Sequence, residues 1–62
     1  MPIVTIQMWE GRSEQQKREV VKAITDAMVE KAGTKPEAVH VVIYDIPKSH
    51  WGIGGELCSD KH

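Results

Sequence analysis

Phenylalanine is absent from this chain, and cysteine occurs once among its 62 residues. The lone thiol, Cys58, excludes an internal disulfide. His40, His50 and His62 show no tight metal-ligand spacing with it or with one another, so no structural metal is expected. No apolar run is long enough to span a bilayer, and no membrane partner is expected. The first residues lack a basic region followed by an apolar one, so export is not expected and a lone thiol fits a reducing cytoplasm. Charge of one sign is also missing: 8 basic and 9 acidic residues intermix to a net charge of -1. Without a basic stripe, nucleic acid is not an expected partner. There is no internal repeat and no low-complexity segment.

These absences bear on stability. A domain of this size buries only about 60% of its unfolded surface and is marginal alone. With disulfides and metals set aside, oligomerisation is the expected remedy.

What is present reads as one domain over residues 1–62, of α/β (α+β) class: a single βαβ unit with a short C-terminal hairpin. Residues 2–9 are β-branched and apolar, with Val4, Ile6 and Met8 on one face and Ile3, Thr5, Gln7 and Trp9 on the other. Proline is acceptable as the first strand residue because it owes no bond to the ladder. After Glu10-Gly11-Arg12, Ser13 and Gln16 form a capping box that predicts a helix to about Ala32. Val20, Val21, Ile24, Ala27, Met28 and Ala32 make its apolar stripe, and Gly33 suits the left-handed position after it. Thr34 to Glu37 reads as a turn or one helical turn. Val39 to Ile46 is a second strand, with Val39, Val41 and Ile43 facing one way and His40, Val42, Tyr44 and Ile46 the other. Strand, helix, strand implies a parallel pair with a right-handed crossover. One helix covers one sheet face, so the other, with Ile3, Val42, Tyr44 and Ile46, calls for a second copy of the chain.

Two features carry chemistry. Removal of Met1 would leave Pro2 with a free secondary amine. An α-amino group titrates near pH ~8, lower when desolvated or beside a cation, and can then act as a general base. The plainer reading is that Pro2 simply starts a strand. Arg12, at the strand-to-helix junction, is either a surface arginine or a fork for a carboxylate. Gly52-Ile53-Gly54-Gly55 lacks the spacing of a dinucleotide fingerprint and reads as a tight turn. Cys58 reads as a packed side chain, since no activating partner stands beside it.

Met1-Pro2, Glu10-Gly11-Arg12-Ser13-Glu14-Gln15-Gln16-Lys17 and His50-Trp51-Gly52-Ile53-Gly54-Gly55-Glu56-Leu57 together closely resemble the small 4-oxalocrotonate tautomerase family. The resemblance runs from Pro2 to about Leu57. It implies a tautomerase-like fold, commonly a hexamer built as a trimer of dimers. It implies that Pro2, after loss of Met1, is the general base for an unsaturated 2-hydroxy or 2-oxo acid, with no metal and no organic cofactor. Arg12 matches the arginine that binds a substrate carboxylate. Trp51 stands at the aromatic pocket position and Trp9 at an aliphatic one. His40 occupies the place of a second arginine, a replacement that removes a permanent bidentate cation. Two other readings follow from the same resemblance. One is a dehalogenase, hydratase or decarboxylase, which needs an added acid, with Glu10 and Asp45 to be considered. The other is a non-catalytic, oligomeric small-ligand-binding homologue.

Overall fold

In the structure, a computed structural model, residues 1–61 are described, and His62 lies outside them. β1 (Ile3–Trp9) is followed by α1 (Glu14–Ala32), a 3-10 turn (Pro36–Ala38) and β2 (His40–Ile46). A second 3-10 turn (Lys48–His50) leads into the hairpin β3 (Gly52–Ile53) and β4 (Glu56–Leu57), and α2 (Cys58–Lys61) ends the described chain. β1 and β2 pair in parallel from Ile3↔His40 through Ile6↔Ile43 to Trp9↔Ile46. β3 and β4 pair antiparallel.

Side-chain alternation explains both long strands. Val4, Ile6 and Met8 of β1, with Val41 and Ile43 of β2, are half-buried beneath the helix, while the residues between them are exposed. Period-2 burial of this kind is what a sheet covered on one side requires. The helix starts where its cap is made. Ser13 Oγ accepts from the Gln16 backbone N–H at 3.1 Å, and Gln16 Oε1 accepts from the Ser13 N–H at 2.9 Å. Glu14 in the first turn and Lys31 in the last complement the helix dipole, and Gly33 closes the helix at φ 71°.

The helix buries Val20, Val21, Ile24 and Met28 partly, as its period predicts. Ala27 and Ala32, placed on that stripe by the sequence reading, are exposed, and Val29 and Thr25 stand in the contact instead. The stripe advances by steps of three and four residues from Lys17, which puts Ala27 on its flank. Lys17 pairs with Asp45 of β2, tying helix to sheet with both side chains about one-third exposed. The Arg18–Glu14 and Lys22–Asp26 pairs span one helical turn in solvent, where each contributes only a few tenths of a kcal/mol.

This arrangement leaves a plate. Its extents are 42 × 24 × 14 Å and its radius of gyration is 14.5 Å, against about 10.6 Å for a compact domain of this length. Its accessible area is 4685 Å², against roughly 4,000 Å² for a folded monomer of this mass. On the uncovered sheet face Ile3, Val42 and Tyr44 are 62%, 40% and 53% exposed, as the sequence reading expects, while Ile46 is half-buried, and Ile53 and Leu57 of the hairpin are exposed as well. Only Cys58, at 1%, is fully buried among the described residues. No helix among them is long and apolar enough to cross a membrane.

The capping box is the strongest local determinant of the helix start. Ser13→Ala is expected to cost about 1 kcal/mol. Thermal melts at fixed protein concentration will show a Tm lower by roughly 4–8 °C.

Candidate active site

The sheet register divides the candidate residues into two groups. At the start of β1, Pro2 lies beside His40: the His40 backbone N–H donates to the Pro2 carbonyl at 3.0 Å. His40 is paired with Ile3 and exposed beside it on the open face. Pro2 is half-buried, and Met1 ahead of it is 83% exposed. While Met1 remains, the Pro2 nitrogen is a tertiary amide with neither proton nor basicity.

At the other end of β1 the remaining candidates gather. The Trp9 and Trp51 rings meet edge to face, 6.0 Å between centroids and 76° between planes, a preferred geometry for such pairs. Gly11 at φ 122° turns the chain back, and Arg12 Nη1 donates to the Trp9 carbonyl at 3.4 Å, a long bond that leaves the guanidinium largely in solvent. A side chain at Gly11 would meet no neighbour, so it is the backbone angle that demands glycine there. Trp51 is held from both sides. Its N–H donates to the Lys48 carbonyl at 3.2 Å, and its own carbonyl accepts from the Cys58 N–H at 2.8 Å. The β3–β4 turn, through Gly54 at φ 62° and Gly55 at φ 85°, returns the chain so that Cys58 can make that bond.

The sequence reading missed Lys48. Its ammonium sits 4.6 Å from the Trp9 ring centroid. The available signal was a lysine directly after Pro47 and three residues before Trp51, the spacing at which a 3-10 turn stacks side chains on one side.

The two groups do not meet within one chain. Pro2 and Trp9 are seven strand steps of about 3.3 Å apart, so roughly 23 Å separates them. The hollows agree. The one touching Trp51, about 210 Å³, is lined by Gln7, Ile46, His50, Trp51 and Gly52. Another, about 530 Å³, runs along the helix flank from Glu14 to Thr25 and includes no candidate residue. It is shallow and backed by charged side chains, so the chemistry of the residues is the better guide to the site than hollow size.

The model of the tautomerase enzyme family matches residues 2–61. The chain belongs to the tautomerase family. It is 44% identical over 61 residues to a probable tautomerase of Halalkalibacterium halodurans, covering 98% of this chain and 100% of that one. It is 49% identical over 55 residues to the 2-hydroxymuconate tautomerase of Comamonas testosteroni, covering 89% and 87%. Among solved structures, a heterohexamer 4-oxalocrotonate tautomerase from Chloroflexus aurantiacus superposes with a TM-score of 0.92 at 31% identity, covering 100% of each chain.

The two acids named from the sequence, Glu10 and Asp45, stand away from Pro2. Asp45 is paired with Lys17 and stands opposite Met8. The Glu10 backbone N–H bonds the Ile46 carbonyl at 3.0 Å, at the tryptophan end. Within the chain, neither acid that a hydratase or decarboxylase reading would call on is at the proline end. Among the described residues no group of three or more His, Cys, Asp or Glu gathers as metal ligands do.

Proposed function

We propose that this tautomerase isomerises 2-hydroxy-2,4-dienoates or the enol forms of 2-oxo acids, with Pro2, freed by removal of Met1, as general base. The observation that carries the reading is the division of the site. Pro2 and His40 occupy one end of the β1–β2 pair; Arg12, Trp9 and Trp51 occupy the other. A small acid touches both groups only where the end of one chain meets the opposite end of another. The exposed sheet face supplies the surface on which chains meet. The assembly we propose is a homo-hexamer, a trimer of dimers, a reading supported by the heterohexameric relative.

In the neutral amine, the Pro2 nitrogen takes the proton of the 2-hydroxyl group. The O–H bond breaks, an N–H bond forms, and the electron pair becomes the carbonyl as the double bonds shift. The prolinium then returns the proton to the carbon of the diene farthest from the new carbonyl, forming C–H and restoring the amine. One proton moves and no electron is gained or lost, so the reaction needs no redox cofactor. Desolvation by apolar walls disfavours the charged amine and keeps it basic but unprotonated near neutrality. Arg12 binds a substrate carboxylate by charge-assisted hydrogen bonds. His40 supplies a hydrogen bond at the enol end, weaker than a fork of permanent charge. Free, buried Cys58 suits a reducing cytoplasm.

The mature protein is expected to lack one methionine residue by intact mass and to run as a hexamer in native mass spectrometry at micromolar concentration; a monomer there sinks the composite site. Pro2→Ala should lower kcat/KM for an enol substrate about 10²-fold or more, and Arg12→Ala should act mainly on KM. Co-refolding the two variants should yield more activity than either alone, because some sites then take an intact Pro2 and an intact Arg12 from different chains. Activity retained in Pro2→Ala ends the proline mechanism.

His40 sets a second expectation. Loss of one charge-assisted contact, ~1.5–3 kcal/mol, should leave the native protein roughly 10- to 10²-fold poorer with 2-hydroxymuconate than the His40→Arg variant. Monocarboxylate aryl enolpyruvates should change less. Side-by-side kcat/KM values on both substrates check it, and equal values for the two proteins remove His40 from the site.

A further inference from the structure

The hollow of about 210 Å³ at the tryptophan end is lined by Gln7, Ile46, His50, Trp51 and Gly52, and its walls are placed by backbone bonding. Gln7 stands opposite Tyr44 in the strand pair, two residues before Trp9 and on the same face. Ile46 stands opposite Trp9, and its carbonyl accepts from the Glu10 N–H at 3.0 Å. The 3-10 turn Lys48–His50 is closed by the His50 N–H on the Pro47 carbonyl at 2.8 Å, and this fixes the backbone from which His50 and Trp51 project. Gly52, paired with Leu57, adds backbone and no side chain.

The walls differ in chemistry. Trp51 and Ile46 are apolar and half-buried, while Gln7 and His50 are exposed. Among the described residues neither the Gln7 amide nor the His50 ring has a hydrogen-bond partner. A primary amide and an imidazole each offer hydrogen-bonding nitrogen or oxygen to a ligand, and the amide both donates and accepts. No lysine or arginine lines the hollow, so it is a poor place for an anion. A purely apolar occupant would strip water from both polar side chains and return nothing. A hydroxyl group on a flat apolar body meets every wall: the body lies against the indole, and the hydroxyl bonds the amide and the imidazole. A cavity of about 150 Å³ holds a benzene ring, so the volume suits a phenol. From this geometry we infer that the hollow is a subsite for a hydroxyaryl group on the substrate, with Trp51 as its flat wall and Gln7 and His50 as the residues that recognise the hydroxyl. The inference deepens the tautomerase reading and rests on its placement of Trp51 in the site. The aryl hydroxyl neither gains nor loses a proton in the isomerisation, so the loss of its partners acts on binding and not on the proton transfer.

The test compares 4-hydroxycinnamate with cinnamate, aryl acids that carry no enol to isomerise. Titration calorimetry on the assembled protein should give 4-hydroxycinnamate a Kd about tenfold below that of cinnamate, the combined effect of two neutral hydrogen bonds. Gln7→Met keeps the length of the side chain, and His50→Phe keeps a ring. Each should remove roughly a factor of three from the preference, and the double variant should erase it. In steady-state assays the double variant should raise KM for (4-hydroxyphenyl)enolpyruvate about tenfold with kcat little changed. Native mass spectrometry of each variant reads the assembly in parallel. No preference in the wild type, full preference in the double variant, or equal weakening of both acids overturns the inference. Loss of the assembly in Gln7→Met overturns it too, by showing that the hollow receives a side chain of a neighbouring chain. Because these acids bind without turnover, a protein that selects 4-hydroxycinnamate through Gln7 and His50 yet moves no proton sinks the tautomerase reading alone.

Discussion

The parallel pairing of two seven-residue strands is the constraint on which the rest depends. Parallel strands need a crossover, and here the crossover is α1, the one long helix among the described residues. A single helix covers a single face. The opposite face is then left with Ile3, Val42 and Tyr44 in solvent, and the chain becomes a plate 14 Å thick. The same register puts His40 against Pro2 at one end and Ile46 beside Trp9 at the other. Exposure of the sheet and division of the site therefore have one cause. The association proposed above answers both, by covering apolar area and bringing unlike ends together.

Much of this was legible because it depends on local chemistry. Ser13 and Gln16 name the helix start whatever the tertiary structure, since the two bonds they make are internal to one turn. Gly33 names its end, and alternation in residues 3–9 and 40–46 names both strands and their faces. Alanine was the weak point of the helical stripe. Ala27 and Ala32 fit an apolar pattern by type, but a methyl group is as comfortable in water as at a contact, and both are exposed. The C-terminal region was read as a short hairpin around a glycine turn, and the hairpin is there. Its 3-10 turn Lys48–His50 and short helix Cys58–Lys61 are too brief to leave a periodic signal.

The site divides in the same way. Pro2, Arg12, Trp9, His40 and Trp51 were named from motifs, and the structure assigns each to an end of the sheet. That they lie in two groups follows from the strand rise, which a list of residues does not convey. Lys48 was missed for another reason. Its spacing from Pro47 and Trp51 hints at the 3-10 turn, but that it meets Trp9 is decided by tertiary packing and not by the local sequence.

Charge placement along the sheet gives the chemistry its direction. The Pro2 end carries His40, which offers no bidentate fork. The tryptophan end carries Arg12 and Lys48. A permanent cation beside the proline would oppose its protonation and also stabilise an enolate. Exchanging that cation for a histidine weakens both effects, so a greater share of the work of keeping the amine neutral falls on exclusion of water. Two indoles in edge-to-face contact are a means to that end, because each is large, rigid and apolar over most of its surface. On this argument the aromatic enrichment at Trp9 and Trp51 and the histidine at position 40 are linked: bulk at one end of the substrate compensates for charge missing at the other. The linkage has a measurable form in double-mutant cycles between His40→Arg and Trp51→Phe, where kcat/KM should show the tryptophan mattering less once the permanent cation is restored.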